Sequence, residues 1–265
     1  MSVGRVLFVG SSVVTVAMAL ALPLVGASSI WPATFVLVAY LAVLLAGVMN
    51  PRLAMFAPVV WHAPSNRAEF ALTFDDGPDP TSTRKVLASL AHGSVRATFF
   101  VLGTKARATP EVLREIAAAG HELGIHGDHH DRLLSLRHPN RIVADLERAL
   151  AAVESATGRR PRLFRPPLGH VSPRTALAAR RLGLTLVGWS AGGRDGLART
   201  TVTRTLRRVI AGLRPGAIIL LHDAAEFGDH EPAGVAALQE ILQEAARRGL
   251  RCVSVSEALG AEASA

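Results

Sequence analysis

Thr73-Phe74-Asp75-Asp76-Gly77-Pro78 is the stretch on which the reading of this chain turns. It closes a run, Glu69–Phe74, whose apolar residues suit a buried β-strand, and it breaks off on two carboxylates and a Gly-Pro turn signal. Outward from it the pattern repeats. Strand-like runs fall at Ala97–Val101, Glu122–His126, Leu163–Arg165, Thr185–Trp189, Ala217–Leu221 and Arg251–Val253. Between them lie amphipathic stretches at Thr83–Leu90, Pro110–Ala119, Arg141–Ser155, Pro173–Leu182, Val202–Gly212 and Val235–Arg248, with glycines such as Gly158 and Gly249 where helices should stop. Seven strands alternating with helices predict a parallel α/β architecture. No Gly-x-Gly-x-x-Gly follows the first strand, so a closed or nearly closed barrel of about 195 residues fits better than a dinucleotide-type open sheet.

The chain opens differently. From Val6 to Pro51 there is no charged side chain. Two apolar stretches, Val6–Leu22 and Trp31–Val48, are each long enough to cross about 30 Å of hydrocarbon as a helix. Pro23, Gly26, Ser28, Ser29 and Pro32 mark a turn between them. The expectation is a two-helix transmembrane hairpin over residues 1–50, then a connector over 51–67 near the membrane interface with Phe56 and Trp61, then an α/β domain over 68–260. A signal peptide competes with this reading, because Arg5, an apolar core and Val25-Gly26-Ala27 imitate one. Two buried core helices are a third reading. A hairpin returns the chain to its starting side. Arg5, Arg52 and Arg67 flank a loop without Lys or Arg, so the positive-inside rule sets both ends in the cytoplasm, beside the cell membrane.

The net charge of +8 sets 29 basic residues, of which only Lys85 and Lys105 are lysine, against 21 acidic ones. The arginines are scattered among Glu and Asp, with no basic block or aromatic stacking pattern, which argues against nucleic acid as a partner. Anionic lipid headgroups suit a basic domain tethered beside them. Cys252 is the only cysteine, so no intrachain disulfide forms.

The candidate site residues all fall at carboxyl ends of expected strands, the face where parallel barrels gather side chains from distant segments. Asp75 and Asp76 are neighbours whose side chains point to opposite faces of an extended segment, so one can hold a metal while the other stays free as a base. The same Asp-Gly-Pro-Asp-Pro stretch is also rich in turn residues. His126 and His130 have the spacing that sets two imidazoles on one side of a helical turn. Neutral imidazole is a common zinc ligand, and a carboxylate with two imidazoles leaves positions open for water. Such a pair is also common in solvated loops, and His129 and Asp128 compete for the ligand or outer-shell role. Arg165, before Pro166-Pro167, can hold a carboxylate bidentately or make a rim salt bridge. His222-Asp223 caps a buried Ile-Ile-Leu-Leu run, where an imidazole can act as general acid.

Taken in order, Thr73–Pro78, His126–His130, Arg165-Pro-Pro-Leu-Gly169, Trp189 with Asp195, and Leu220-Leu-His222-Asp223 resemble the five motifs of the polysaccharide deacetylase family, the NodB-homology domain of carbohydrate esterase family 4. The similarity runs from about Ala68 to Leu259. The resemblance implies a distorted (β/α)7 barrel that hydrolyses an N-acetyl, or sometimes O-acetyl, group from a carbohydrate. By resemblance Asp75 is the catalytic base, and Asp76, His126 and His130 are the metal ligands, with zinc the expected ion. Arg165 orients Asp75, Asp195 tunes the acid His222, the Leu168 backbone N–H stabilises the oxyanion, and Leu220 lines the acetyl pocket. Trp189 joins Leu168 and Leu220 as a substrate-binding position.

Three positions depart from the family pattern: Gly127 for Ser or Thr, Leu168 for Tyr or Phe, and Gly196 for Trp. They bear on substrate shape more than on the reaction. The expected function is a membrane-anchored, metal-dependent deacetylase of an amino-sugar glycan, with membrane lipid as a further partner. Its rivals are a deacylase of a lipid-linked amino-sugar precursor and an inactive glycan-binding module, although no ligand or base residue is missing.

Overall fold

The computed structural model describes residues 2–25, 30–91 and 95–260. Its sheet contains β1 (Glu69–Asp75), β2 (Thr98–Val101), β3 (Glu122–Ile125), β4 (Leu163–Phe164), β5 (Thr185–Leu186), β6 (Ala191–Gly192), β7 (Ile218–His222) and β8 (Arg251–Val253). The order is β5-β4-β3-β2-β1-β7-β6, and β8 pairs with β1. Every named pairing is parallel. The result is a parallel-sheet half-barrel, the distorted barrel that the resemblance implies. Among the described residues there are eight strands rather than seven. Ala191–Gly192 is too short and too small in side chain to announce itself, and only its register with Ile219 and Leu220 makes it a strand.

β1 is the central strand, and its two edges carry the fold. β7 pairs along Ala71–Asp75, β2 takes Thr73–Asp75, and β8 takes Glu69–Ala71. Phe70, Leu72 and Phe74 are wholly buried, each contributing roughly 2 kcal/mol of transfer free energy. Helices cover the sheet. The longest of them outside the N-terminal region, the helix Pro139–Thr157, buries Ile142, Leu146, Ala149, Leu150 and Val153, the stripe that an amphipathic helix presents to a core. It stops at Gly158, whose φ of 71° no β-carbon hinders.

The two apolar stretches form α1 (Val3–Val25) and α2 (Ile30–Met49). Pro23 and Pro32 lie inside these helices, and the expected turn residues Gly26, Ser28 and Ser29 lie outside the described residues. Only 6% of each apolar window is buried, so neither helix is a core helix of the barrel. The hairpin meets the domain at its foot. The Val171 N–H donates to the Val48 carbonyl at 3.0 Å, and Arg52 Nη2 donates to the Ser190 carbonyl at 2.6 Å. In the segment 51–67, the Val60 N–H donates to Leu186 and its carbonyl accepts from Gly188 (2.9 and 2.8 Å), while the Ala63 N–H donates to Gly216 at 2.8 Å. This segment therefore runs along the gap between β5 and β7.

Candidate active site

Because the strands are parallel, their carboxyl ends share one face, and the charged side chains collect there. Arg165, one residue past β4, is wholly buried. Its Nη1 donates to Asp75 Oδ1 at 2.7 Å and to Thr73 Oγ1 at 2.8 Å, and its Nη2 donates to the Gly188 carbonyl at 2.9 Å. Phe100 lies under the guanidinium at 4.1 Å, a cation–π contact that partly replaces lost hydration. Burial pulls the Arg165 pKa below its usual value, opposed by the Asp75 carboxylate. Asp75 is thus held from one side, with Oδ2 left facing His126 Nε2 at 3.8 Å.

Asp76 follows the strand with φ at 72°, a left-handed conformation that costs a non-glycine residue about 1–2 kcal/mol. It turns the carboxylate toward the two histidines. Asp76 Oδ1 lies 3.6 Å from both His126 Nε2 and His130 Nε2, too far for hydrogen bonds. That oxygen is buried with no hydrogen-bond partner. His126 Nδ1 lies 2.7 Å from the Arg165 carbonyl; a carbonyl only accepts, so Nδ1 carries the proton and Nε2 presents its lone pair. Burial pushes the His126 pKa down, against the pull of Asp75 and Asp76, favouring the neutral form that a ligand needs. The three donor atoms lie within 4.8 Å of one another. An orphaned carboxylate oxygen facing two imidazole nitrogens fits a divalent cation.

Two expectations about this segment change. His126 and His130 do not sit on a helical turn. They meet through a loop in which Gly127 takes φ 94° and His130 φ 53°. His129 is turned away: it is exposed, with Nε2 3.1 Å from Asp128 Oδ2. Asp128 itself is wholly buried and pairs with Arg107 and Arg148, so it braces the loop.

On the other side of Asp76 stands His222, the last residue of β7, with Nε2 4.0 Å from Asp76 Oδ2. Asp195, wholly buried, accepts from the His222 N–H at 2.8 Å and lies 3.1 Å from its Nδ1. Burial opposes the charged imidazolium, but the Asp195 carboxylate, with Asp76 and Asp75 beyond it, lifts the pKa to about 9. A β-carbon on Gly196 would stand 3.0 Å from the His222 ring, so glycine leaves this imidazole uncrowded.

The remaining predicted residues are Leu168, Trp189 and Leu220. Leu168 holds φ 58° in the turn Pro167–Gly169, with its side chain 44% exposed. Trp189 is half-buried and lies beyond β5 rather than at its end; a β-carbon on Gly169 would meet its ring at 2.6 Å. Leu220 is half-buried inside β7 against Gly192. One residue escaped the sequence reading. Glu226 Oε1 lies 2.7 Å from His130 Nδ1, and both its oxygens receive hydrogen bonds from Arg132 at 2.6 Å. Nothing in Ala-Ala-Glu-Phe marks it, because only the return of the chain after β7 brings it to the histidine.

A family model described as polysaccharide deacetylase matches residues 62–187. The chain is 35% identical over 203 residues to a peptidoglycan-N-acetylglucosamine deacetylase of Bacillus cereus, covering 76% of this chain and 92% of that one. It is 40% identical over 159 residues to a chitooligosaccharide deacetylase of a Bradyrhizobium species, covering 60% and 72%. The crystal structure of the Bc1960 peptidoglycan N-acetylglucosamine deacetylase, bound to a naphthalenyl N-oxidanyl-benzamide, superposes with a TM-score of 0.70 at 29% identity over 76% of this chain and 92% of that one. Motif order, half-barrel and relatives agree: the chain belongs to the polysaccharide deacetylase family of carbohydrate esterase family 4, hydrolases that act on non-peptide amide bonds.

Proposed function

We propose that the protein is a membrane-anchored, metal-dependent deacetylase that removes N-acetyl groups from an amino-sugar substrate. The observation that carries this reading is the meeting of Asp76, His126 and His130 between two differently held groups, Asp75 on Arg165 and His222 on Asp195. Asp76, His126 and His130 would hold a divalent ion, zinc by the nitrogen-rich donor set. When bound, that ion supplies Lewis acidity to the acetyl carbonyl and acidity to a water.

The chain's own groups do the rest. Asp75, fixed by Arg165 with one oxygen free, accepts a proton from the attacking water. The Leu168 N–H, at the turn beside the site, faces the developing oxyanion. His222, kept protonated near neutral pH by Asp195, delivers its proton to the departing amine. Acetate and a free amino sugar result. A base and an acid with oppositely arranged partners is the division of labour that such hydrolysis needs.

Anchoring is supported by the two long, charge-free helices, which stand outside the core. Arg5, Arg52 and Arg67 favour a cytoplasmic domain, testable by protease access in sealed vesicles. Acetate release from N-acetylglucosamine oligomers tests the chemistry: turnover should vanish with chelator and return with zinc. Chelator-resistant turnover would remove the metal from the reading, and the absence of acetate from every acetylated sugar tried would remove the reading itself.

A further inference from the structure

The hairpin and the active-site mouth lie at the same end of the barrel. The Val48 carbonyl at the end of α2 accepts from Val171, two residues past the turn that carries Leu168. The next residue, Ser172, donates through its hydroxyl to the Ser135 carbonyl at 2.7 Å, and Arg174 donates to the Leu136 carbonyl at 2.6 Å. Together these bonds form an unbroken path from the foot of the hairpin to the loop that follows His130. Arg52 extends the junction to the other flank of the mouth through Ser190.

The apolar surface follows the same geography. Outside α1 and α2, six large hydrophobic side chains stand exposed among the described residues: Leu133, Leu136, Leu168, Leu197, Phe227 and Leu259. Only Leu259 lies at the opposite end of the barrel. The other five sit on loops that leave the catalytic ends of β3, β4, β6 and β7, and Leu136, Leu197 and Phe227 are each more than 60% exposed. Single exposed leucines need no explanation, but their concentration around one opening does. A groove for a soluble glycan would place ring faces and hydrogen-bond donors there. Four of the five are leucines, which suit hydrocarbon better than sugar.

We propose that these loops form a lipid-contacting rim, so that the enzyme works against the bilayer surface on an acetylated amino sugar held there by a lipid. The inference rests on the reading of the chain as a membrane-anchored deacetylase, and adds to it the orientation of the mouth and the class of substrate. A helix end fixed within one hydrogen bond of the rim keeps these side chains at interfacial depth, where apolar area and nearby arginines both favour binding. A cytoplasmic site would in addition meet its amino sugar as a lipid-linked precursor rather than as a finished polymer.

The test uses the full chain in vesicles of phosphatidylethanolamine and phosphatidylglycerol containing brominated phosphatidylcholine. Cys252 is buried and its thiol is pushed up to about 12 by burial, so an introduced cysteine can be labelled alone. Leu136→Cys and, at the far end of the barrel, Arg159→Cys would carry the same environment-sensitive fluorophore. The label at position 136 should be quenched several-fold more than that at 159. In parallel, the double variant Leu133→Glu, Leu136→Glu should keep its turnover of soluble N-acetylglucosamine oligomers and lose about tenfold on a polyprenyl-linked N-acetylamino sugar in vesicles. Equal quenching at both positions, or an equal loss on both substrates, in protein that resists alkaline extraction would overturn the rim while leaving the anchor standing. Protein that washes off the vesicles would overturn the anchor and the rim together. Loss of acetate release from both substrates in the unmutated chain would instead strike the deacetylase reading.

Discussion

The two ends of the sheet are built from the same strands and obey different rules. At the amino end, left-handed turns that close helices fall on glycine, as at Gly158 and Gly249, where the conformation costs little. At the carboxyl end the same conformation falls on Asp76, His130, Leu168 and Arg194. Strain of this kind gathers where function requires a particular side chain in a particular direction. Polar groups divide the same way. At the amino end, His121 Nδ1 accepts from the Ala97 N–H at 3.3 Å, and Glu122 receives hydrogen bonds from Thr98, at 2.7 Å, and from the Ser256 hydroxyl. At the carboxyl end Asp76 Oδ1 and Arg165 Nε are buried without partners. Glu69 Oε2 at the amino end is also left without a partner, but its Oε1 takes Arg251, whereas Asp76 Oδ1 faces two imidazoles.

This contrast can be broken experimentally, most severely at Asp75. Asp75→Asn keeps the shape and the hydrogen bond to Arg165 but cannot take a proton, so acetate release should fall about a thousandfold with metal binding intact. Retained turnover would remove the base from this end of the sheet. Next comes the metal. A ligand that binds only the folded chain stabilises it by about 3–4 kcal/mol at a hundred- to thousandfold excess over Kd. Zinc should therefore raise the melting temperature of the wild-type chain and leave that of His126→Ala unchanged. A calorimetric scan indifferent to zinc would mean that the orphaned Asp76 oxygen awaits no ion.

The amino end makes its own prediction. Burial, helped by Arg96, pushes the His121 pKa down to about 4, whereas in the unfolded chain it sits near 6.5. Between those values only the unfolded chain binds the proton, so stability rises with pH across the window, is complete above about 6.5, and is lost as pH falls through it. The swing is roughly 2–3 kcal/mol, and His121→Gln should flatten it in urea titrations at pH 5 and 7. An unchanged slope would show that this end is not kept neutral by burial. The smallest effect is expected from Glu226. Glu226→Gln should weaken zinc binding about tenfold by chelator competition while leaving melting of the metal-free chain nearly unchanged. If affinity holds, the carboxylate serves only its salt bridge to Arg132.

The residues closest to the chemistry were legible because each lies within a short polar tip on a strand. Asp75, Asp76, His126, His130, Arg165, Asp195 and His222 meet as the strand pattern and the resemblance together imply. The local geometry was less legible. The histidine spacing suggested a helical turn, yet a loop with positive φ brings the rings together, since spacing alone does not say which backbone closes it. β6 went unseen because two small residues carry no pattern, and its pairing with β7 makes it a strand.

What the amino-acid order settled by itself was local: which runs are apolar, where they stop, and which charged residues wait at the stops, since periodicity and turn chemistry act over a few neighbours. Convergence was settled only in three dimensions. The pairing of Glu226 with His130, the clamp of Asp195 on both ends of His222, and the bond from Val171 to Val48 at the end of α2 each join residues far apart in the chain. No local preference specifies such contacts. They exist because a parallel sheet brings all its carboxyl ends to one face, and the loops that leave it must pack against whatever they find there.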